Sequence, residues 1–278
     1  MGCAVIRALH GMNLPARALV RGAGNAERVR QAGAAEVIEA DMENWEDLEK
    51  AFCGVNAVYH IAPAAHPREE EMGRRVLEVA SKQPDMYFVY HSVLHSVLID
   101  LPHHRQKLHL ENAVVESGLS YTIVQPAVFM QMLAAALPAA AGGVFPQKFF
   151  TGPDTEMNLV DLDDVAAAVA RMFATGEYQN GSYELCGPQN ISEQELCRAL
   201  SAVAGREVRT SYIADSSFLE MSRMDPDSYP AKTLLTMFHH YNRHSFRGNS
   251  DVLTWILGRK PTTLEKYLKQ EWAAQNIQ

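Results

Sequence analysis

Two basic side chains lie one helical turn apart in a predicted helix, and a serine precedes them at the end of a predicted strand. His103 and Lys107 are four residues apart, so a helix places both on one face. A lysine there can donate hydrogen bonds to ribose hydroxyls, and its charge lowers the pKa of a neighbouring acid. Ser92 can donate to a carbonyl oxygen on which negative charge develops. Spacing alone favours a simpler interpretation, a solvated helix face.

The elements around these residues follow the order strand, loop, helix, strand. Phe88–Val93 is rich in β-forming residues, and a helix over residues 103–117 ends where Gly118 supplies a left-handed cap. Tyr121–Val124 then resumes an extended apolar run, which Pro126 stops. Such a unit predicts a right-handed crossover between parallel strands. In sheets of this kind, ligands bind at the carboxyl ends of the strands.

This stretch resembles the NmrA-like branch of the atypical short-chain dehydrogenases. That family has a strand that ends in a serine, a helix that carries a lysine, and a further strand followed by a proline turn against the nicotinamide. Tyr241–Asn249 and Leu257–Thr263 resemble the family's C-terminal segment, so the likeness covers essentially the whole chain. The ordinary dehydrogenase signature has a tyrosine four residues before the lysine, and His103 stands at that position here.

The resemblance implies an α/β fold with a doubly wound, parallel, Rossmann-type sheet. It places an NAD(P)-binding core at residues 1–150. A mixed substrate-binding and C-terminal region, with a small α/β subdomain, occupies residues 151–278, of which residues 157–185 return to the core. The chain has 278 residues, 47% of them hydrophobic, which suffices for a buried core of this size.

The chain has no residues for the family's first strand or for the first two glycines of its GxxGxxG loop. Those glycines let the backbone approach the pyrophosphate, and the next helix directs its N-terminus at the phosphates. Here a helix is predicted from the first residues, and Gly2 aligns with the third glycine. Loss of this central strand predicts unpaired edges on its two neighbours and an open groove. Three explanations fit the missing strand and glycines: a start codon placed too far downstream, a cut in the sequence, or a real loss of dinucleotide binding.

The other cofactor positions combine the resemblance with predicted strand ends. Arg21 stands where an acidic residue would hold the ribose of NAD, so it suits the 2′-phosphate of NADP, although a plain surface arginine fits equally well. Asp41 and Met42 resemble an adenine-contacting pair, although the aspartate could instead cap a helix near Trp45. The full set expected to hold NADP(H), in preference to NAD(H), is Gly2, Arg21, Asp41, Met42, Ile61, Ala62, Pro63, Lys107, Pro126, Val128 and Phe129.

The resemblance implies an NAD(P)-dependent oxidoreductase that reduces a carbonyl or conjugated small molecule by hydride transfer. Lys107 would hold the ribose, Ser92 would polarise the acceptor oxygen, and His103 or a water would relay the proton. Aromatic residues between positions 238 and 246 can line a pocket for a small apolar organic substrate, although aromatic packing within a C-terminal subdomain explains them better. Two alternatives stay open: a non-catalytic redox sensor that acts through a protein partner, favoured by the missing tyrosine and glycine loop, and a non-redox enzyme with the same pocket.

Composition argues against other classes of protein. A formal net charge of −8 does not suit a nucleic-acid-binding surface. The most apolar stretch, Met132–Val144, is too short and broken to span a membrane, and no secretory leader is visible, so a cytoplasmic protein is expected. The four cysteines have no metal-ligand spacing and predict reduced, buried thiols, with no metal site.

Glu69–Glu71 and Arg74–Arg75 have ion-pair spacings, which predict a solvated helix face.

Overall fold

The computed structural model of the chain describes residues 1–150 and 154–277. They form two compact units. The first comprises Met1–Pro126 and Leu162–Tyr183, and the second comprises Ala127–Asp161 and Glu184–Gln278. The division of the chain at residue 150, with residues 157–185 returning to the core, stays a prediction.

Strands and helices alternate through most of the chain. The strands are β1 (Arg17–Val20), β2 (Glu36–Glu39), β3 (Ala57–His60), β4 (Tyr87–His91), β5 (Ser120–Pro126), β6 (Val128–Phe129), β7 (Val144–Gln147), β8 (Glu156–Val160), β9 (Gly181–Leu185), β10 (Asn190–Ser192) and β11 (Arg209–Tyr212). The helices are α1 (Gly2–Gly11), α2 (Ala23–Gln31), α3 (Trp45–Phe52), α4 (Glu69–Ser81), α5 (Pro102–Glu116), α6 (Leu137–Ala141), α7 (Leu162–Thr175), α8 (Glu193–Ala204), α9 (Asp215–Met221), α10 (Tyr229–His244), α11 (Asp251–Leu257) and α12 (Leu264–Ala274). A 3₁₀ helix spans Met130–Ala136.

The parallel strand pairs of the first unit lie in two separate sheets. One contains β1 and β2, and the other has the order β3-β4-β5-β9 with β4 parallel to both β3 and β5. Among the strands that the structure describes, β1 pairs only with β2, and β3 pairs only with β4. This is the interruption expected when the strand that would separate β1 from β3 is lacking.

Helices cover both faces of the second of these sheets. Successive residues of β4 point to opposite sides. Phe88 and Tyr90 belong to a buried cluster shared with α3, α4 and α5, whereas the ring of Tyr87 contacts Phe173 of α7 on the other side, with 5.6 Å between centroids. The predicted α/β class with a doubly wound parallel arrangement is therefore confirmed.

A glycine lets α4 and α5 approach closely. A Cβ atom added to Gly73 of α4 would lie 2.0 Å from Cδ2 of Leu110 of α5, and Leu110 is fully buried. Glu69 lies one turn before Gly73, and Lys107 lies one turn before Leu110. The same close approach therefore brings Glu69 and Lys107 within reach of each other.

We expect Gly73→Ala to lower the free energy of unfolding by about 1–3 kcal/mol, because the added methyl group must displace Leu110 in a packed core. Urea denaturation measures this change. The matched control is Gly24→Ala in α2, where a Cβ meets no atom within 4 Å. The control should raise the free energy of unfolding by about 0.5–1 kcal/mol, and a similar gain for Gly73→Ala would contradict the packing argument.

The second unit has its own sheets and helix caps. β8 pairs parallel with β6 and antiparallel with β10, and β7 pairs parallel with β11. α8 begins with a capping box in which the Ser192 hydroxyl accepts from the backbone N–H of Glu195 and the Glu195 carboxylate accepts from that of Ser192, as its sequence predicts. No helix among the described residues is long and apolar enough to cross a membrane.

Two local predictions need correction. The sequence predicts a helix over residues 165–173 that Asp163 or Asp164 caps. The helix instead begins at Leu162, so both aspartates lie in its first turn and do not cap it. The four cysteines are free thiols, but they are not uniformly buried, because Cys186 is buried while Cys53 is exposed.

Candidate active site

One face of α5 carries three buried polar side chains, each four residues from the next. His103, Lys107 and Glu111 are 8%, 3% and 7% exposed. They lie on the side of α5 that packs toward β4. This face of α5, defined by these three residues, is called the polar face below. The alternative of a solvated surface does not apply to His103 and Lys107.

Lys107 is held by groups from two other elements. Its Nζ lies 2.9 Å from Oε1 of Glu69 in α4 and donates to the carbonyl oxygen of His91, at the end of β4, over 2.8 Å. The ammonium also lies 5.3 Å from the ring centroid of Tyr90, close enough for a cation–π contact. Lys107 therefore fixes the polar face to the carboxyl end of β4.

Glu69 is the main residue that sequence reasoning misplaced. The pattern predicted a solvated face for Glu69–Glu71, and for Glu69 that prediction is wrong, because the residue is fully buried. Its Oε2 lies 3.0 Å from Nδ1 of His103. Burial acts to raise the pKa of Glu69, but the Lys107 charge and the His103 hydrogen bond outweigh it and hold the pKa below its ordinary value. Glu69 is therefore ionised at neutral pH.

Ser92 belongs to a second polar cluster, at the other end of the polar face. Its hydroxyl donates to Oε1 of Glu111, and Gln125 Nε2 donates to the same oxygen over 2.9 Å. Ser96 Oγ donates to Oε2 of Glu111 over 3.0 Å. A hydroxyl has one hydrogen to donate, and here Glu111 receives it. Ser92 can polarise a carbonyl oxygen only if it turns away from Glu111.

Two neutral histidines lie beneath Lys107. The imidazole of His60 stacks on the Tyr90 ring, with 6.0 Å between centroids, and its Nε2 is buried without a hydrogen-bond partner. Burial, and then the charge of Lys107, lowers the pKa of His60 to about 3. The same two causes place the pKa of His91 well below its ordinary value, and Nδ1 of His91 lies 2.6 Å from the hydroxyl of Tyr59. Both imidazoles are uncharged at neutral pH.

Because these two histidines are buried in the uncharged form, we expect the protein to lose stability in mild acid. Because the pKa of His60 is lower in the folded than in the unfolded chain, the unfolded chain binds more protons from about pH 6.5 downward. Each such histidine lowers the free energy of unfolding by up to about 1.4 kcal/mol per pH unit in that range.

Urea denaturation at several pH values should show a shallower slope for His60→Phe than for the unchanged chain. The control is His109→Phe on α5, whose side chain is 46% exposed and which should keep the original slope. Equal slopes for His60→Phe and the unchanged chain would contradict the assignment of a buried, neutral His60.

The structure places several predicted cofactor residues at carboxyl ends of strands in the first unit. Arg21 follows β1 and is exposed, and Ile61, Ala62 and Pro63 follow β3, with Ala62 buried. Gly2 is the first residue of α1, and a Cβ atom there would meet nothing within 4 Å. These residues lie at separate strand and helix ends.

Asp41 and Met42 follow β2. Asp41 does not cap α3, because Asn44 does so by accepting hydrogen bonds from the backbone N–H groups of Glu46 and Asp47. The Asp41 carboxylate instead accepts from the backbone N–H of Glu43 over 2.9 Å. Asp41 is exposed, while Met42 packs against the core. The alternative role of Asp41 as a helix cap is therefore wrong.

The last predicted cofactor residues are divided between the two units. Pro126 is the buried last residue of β5 in the first unit. Val128 and Phe129 form β6 in the second unit, where they pair with Leu159 and Val160 of β8. Both are half-buried.

The aromatic residues between positions 238 and 246 pack against one another and against other aromatic residues of the second unit. The Phe238 ring contacts Phe149 and Phe218, with 5.3 and 5.2 Å between centroids, and Tyr241 stacks on Phe246. No group of three or more His, Cys, Asp or Glu residues in residues 1–150 and 154–277 is placed to hold a metal ion.

Known proteins are similar to this chain over nearly its whole length. The model of the NmrA-like family matches residues 1–272. An NAD(P)H azoreductase of Xenophilus azovorans is 28% identical, over 99% of this chain and 95% of that protein. The crystal structure of an Escherichia coli NADPH-dependent quinone oxidoreductase complexed with NADPH has a TM-score of 0.81 at 24% identity and covers 97% of this chain and 95% of its own.

A third similar protein is a Citrobacter triphenylmethane reductase, whose structure complexed with NADP(H) has a TM-score of 0.82 at 22% identity. The match covers 97% of this chain and 95% of that one. At this level of identity the structural matches establish the fold, which is the Rossmann-type arrangement that the sequence predicts.

Proposed function

The chain belongs to the NmrA-like family, and from that premise we propose that it is an NAD(P)H-dependent oxidoreductase that reduces a flat, conjugated small molecule. The observation that carries the proposal is the pair His103 and Lys107 on the polar face, held at the carboxyl end of β4. Ligands of doubly wound folds bind at this edge. A buried lysine beside a titratable imidazole provides a hydrogen-bond donor and a proton-transfer group at the same place.

The cofactor in this proposal is NADPH in preference to NADH. The relatives named above include an NAD(P)H azoreductase and two enzymes with structures that hold NADPH or NADP(H). Arg21, exposed after β1, offers a guanidinium that can bind a 2′-phosphate bidentately. Asp41 and Met42 would contact the adenine, and Lys107 would hold a ribose. When bound, the cofactor supplies the hydride.

The residues of the first unit fit the adenosine end of such a cofactor more readily than its nicotinamide end. The adenosine end would meet exposed side chains, Arg21 and Asp41. At the nicotinamide end, the Lys107 ammonium already contacts Glu69 and the His91 carbonyl oxygen. An ammonium has three hydrogens, so Lys107 can offer the third to a ribose hydroxyl without losing either contact.

His103 and Ser92 have distinct roles in this proposal. His103 would take a proton from water at Nε2 and pass it to the reduced substrate, since Nδ1 is turned toward Glu69. Ser92 would donate to the acceptor oxygen after its hydroxyl leaves Glu111. A substrate whose charge can be delocalised over several conjugated atoms places little demand on Ser92. This favours quinone-like and azo compounds, the substrate types named for two of the relatives.

The test is turnover of NADPH by the purified chain with a panel of quinones and azo dyes under anaerobic conditions. The expected result is loss of NADPH absorbance with two electrons transferred per NADPH, so that one hydroquinone forms per NADPH and one azo bond is cleaved to amines per two NADPH. Product formed without NADPH consumption would instead identify a non-redox enzyme. Absence of product with every substrate would contradict the proposed activity.

A non-catalytic redox sensor is the second candidate. It is favoured by one observation: Lys107 is already paired with Glu69, and Ser92 already donates its hydrogen bond to Glu111. Stoichiometric NADPH binding without turnover across the panel would support this function. It would also require a protein partner, and both that partner and the cytoplasmic location expected from the sequence stay predictions.

A further inference from the structure

The buried Glu69 differs from the other acidic residues of its helix. It is the first residue of α4, and its side chain is 1% exposed. Glu70 and Glu71, the next two residues, instead form ion pairs at the surface with arginines one turn later. A buried ion pair is not required for stability, because well-packed apolar side chains of similar volume often replace one without loss. The position of Glu69 is therefore better explained by what its carboxylate does to its partners.

The two oxygens of Glu69 contact two residues of the polar face. Oε1 lies 2.9 Å from Lys107 Nζ, and Oε2 lies 3.0 Å from His103 Nδ1. An ionised carboxylate only accepts hydrogen bonds, so the hydrogen between Oε2 and Nδ1 must belong to His103. Lys107 favours the ionised form of Glu69, and in this way it also maintains that hydrogen bond. The contact determines the tautomer of His103.

With its hydrogen on Nδ1, a neutral His103 leaves Nε2 free to accept and return a proton. No described residue forms a hydrogen bond to Nε2, and the side chain keeps 11% of its surface exposed. Nε2 is therefore the ring nitrogen that can exchange protons with a ligand or with water.

We propose that Glu69 is a positioning residue, which fixes the Nδ1–H tautomer of His103 and so makes Nε2 the proton-transfer atom of the site. This inference rests on the proposed function, because it assigns the proton donor of that reaction. In other active sites an acidic side chain has the same relation to a histidine: its carboxylate orients the imidazole ring without itself becoming protonated.

The test is the nitrogen-15 NMR spectrum of the full chain, labelled at histidine and recorded above pH 8 without cofactor or substrate. His103→Gln identifies the His103 signals among those of the 11 histidines. In the unchanged chain, Nδ1 should appear protonated and Nε2 unprotonated. Glu69→Gln should shift the His103 population toward the Nε2–H form, because an amide can donate to Nδ1 as well as accept from it.

Two further variants keep the test decisive. If Glu69→Gln fails to fold, the double variant Glu69→Leu with Lys107→Met removes the acceptor without leaving a buried unpaired charge, and it should show the same redistribution. The matched control is Glu70→Gln, whose carboxylate contacts Nδ1 of the exposed His109 over 2.8 Å and which should leave the His103 signals unchanged.

An Nε2–H tautomer in the unchanged chain, or the same His103 signals in all folded variants, would overturn the inference. This result does not depend on turnover, so it is distinct from a failure of the proposed function. Where the chain does turn over, Glu69→Gln should lower kcat at least about tenfold and displace its pH profile. Loss of packing alone would not change the tautomer.

Discussion

Replacing Lys107 with alanine is expected to lower the free energy of unfolding by about 3–5 kcal/mol, because Glu69 would be left as a buried charge without its cation. The side chain of Glu69 is 1% exposed, so bulk water does not solvate the charge that is left. Urea denaturation at neutral pH measures the change. NADPH binding by whatever fraction stays folded should also be lost.

Two companion variants separate charge from packing. Glu69→Leu with Lys107→Met should recover most of the lost stability, since neither charge is then buried alone. Lys82→Ala, at the end of α4, removes a lysine that is 53% exposed and pairs with Glu78. A surface pair of this kind is worth about 0–1 kcal/mol. A loss below about 1 kcal/mol for Lys107→Ala would show that the buried pair does not have the energetic role assigned to it.

Replacing His103 with phenylalanine should lower kcat by about 10²–10⁴-fold, which is the usual contribution of a positioned general acid. The ring is retained and Lys107 keeps its contact with Glu69, so NADPH affinity should change little. Steady-state kinetics and a calorimetric titration measure the two quantities separately. The matched control is His109→Phe, on the exposed side of the same helix, which should keep its kcat.

A kcat for His103→Phe within about twofold of the unchanged chain would assign proton delivery to water instead. The polar face would then keep only its proposed role in holding the cofactor. A loss of NADPH affinity as large as the loss of kcat would equally exclude a role confined to proton transfer.

Local rules predicted the elements of this chain well. Gly118 has a φ of +75° directly after the end of α5, as its position in the sequence indicates, and the capping box at Ser192 forms as predicted. The sequence also predicts a last helix over residues 264–274, and α12 spans Leu264–Ala274. Each of these features depends on interactions within a few residues of the chain, which is why sequence reasoning finds them.

Partners that come from different elements were harder to predict. Glu70 and Glu71 each have an arginine four residues later, whereas Glu69 has Gly73 there, so the spacing itself separates Glu69 from its neighbours. Its place on the buried side of α4 was also visible, because Met72 and Val76 continue the same helical stripe. Glu111 lies four residues after Lys107 and could have been found by extending the same spacing. That Glu69 contacts α5 depends on helix packing, which no local pattern specifies.

The central claim is that the polar face of α5 holds NADPH, and a calorimetric titration of the folded chain with NADPH, and with NADH beside it, tests this most directly. We predict binding in the micromolar range that favours NADPH. Glu69→Leu with Lys107→Met should weaken it at least about tenfold, or by about 1.4 kcal/mol, while Lys82→Ala leaves it unchanged. No binding by the folded chain, or equal affinity in the double variant, would contradict the account.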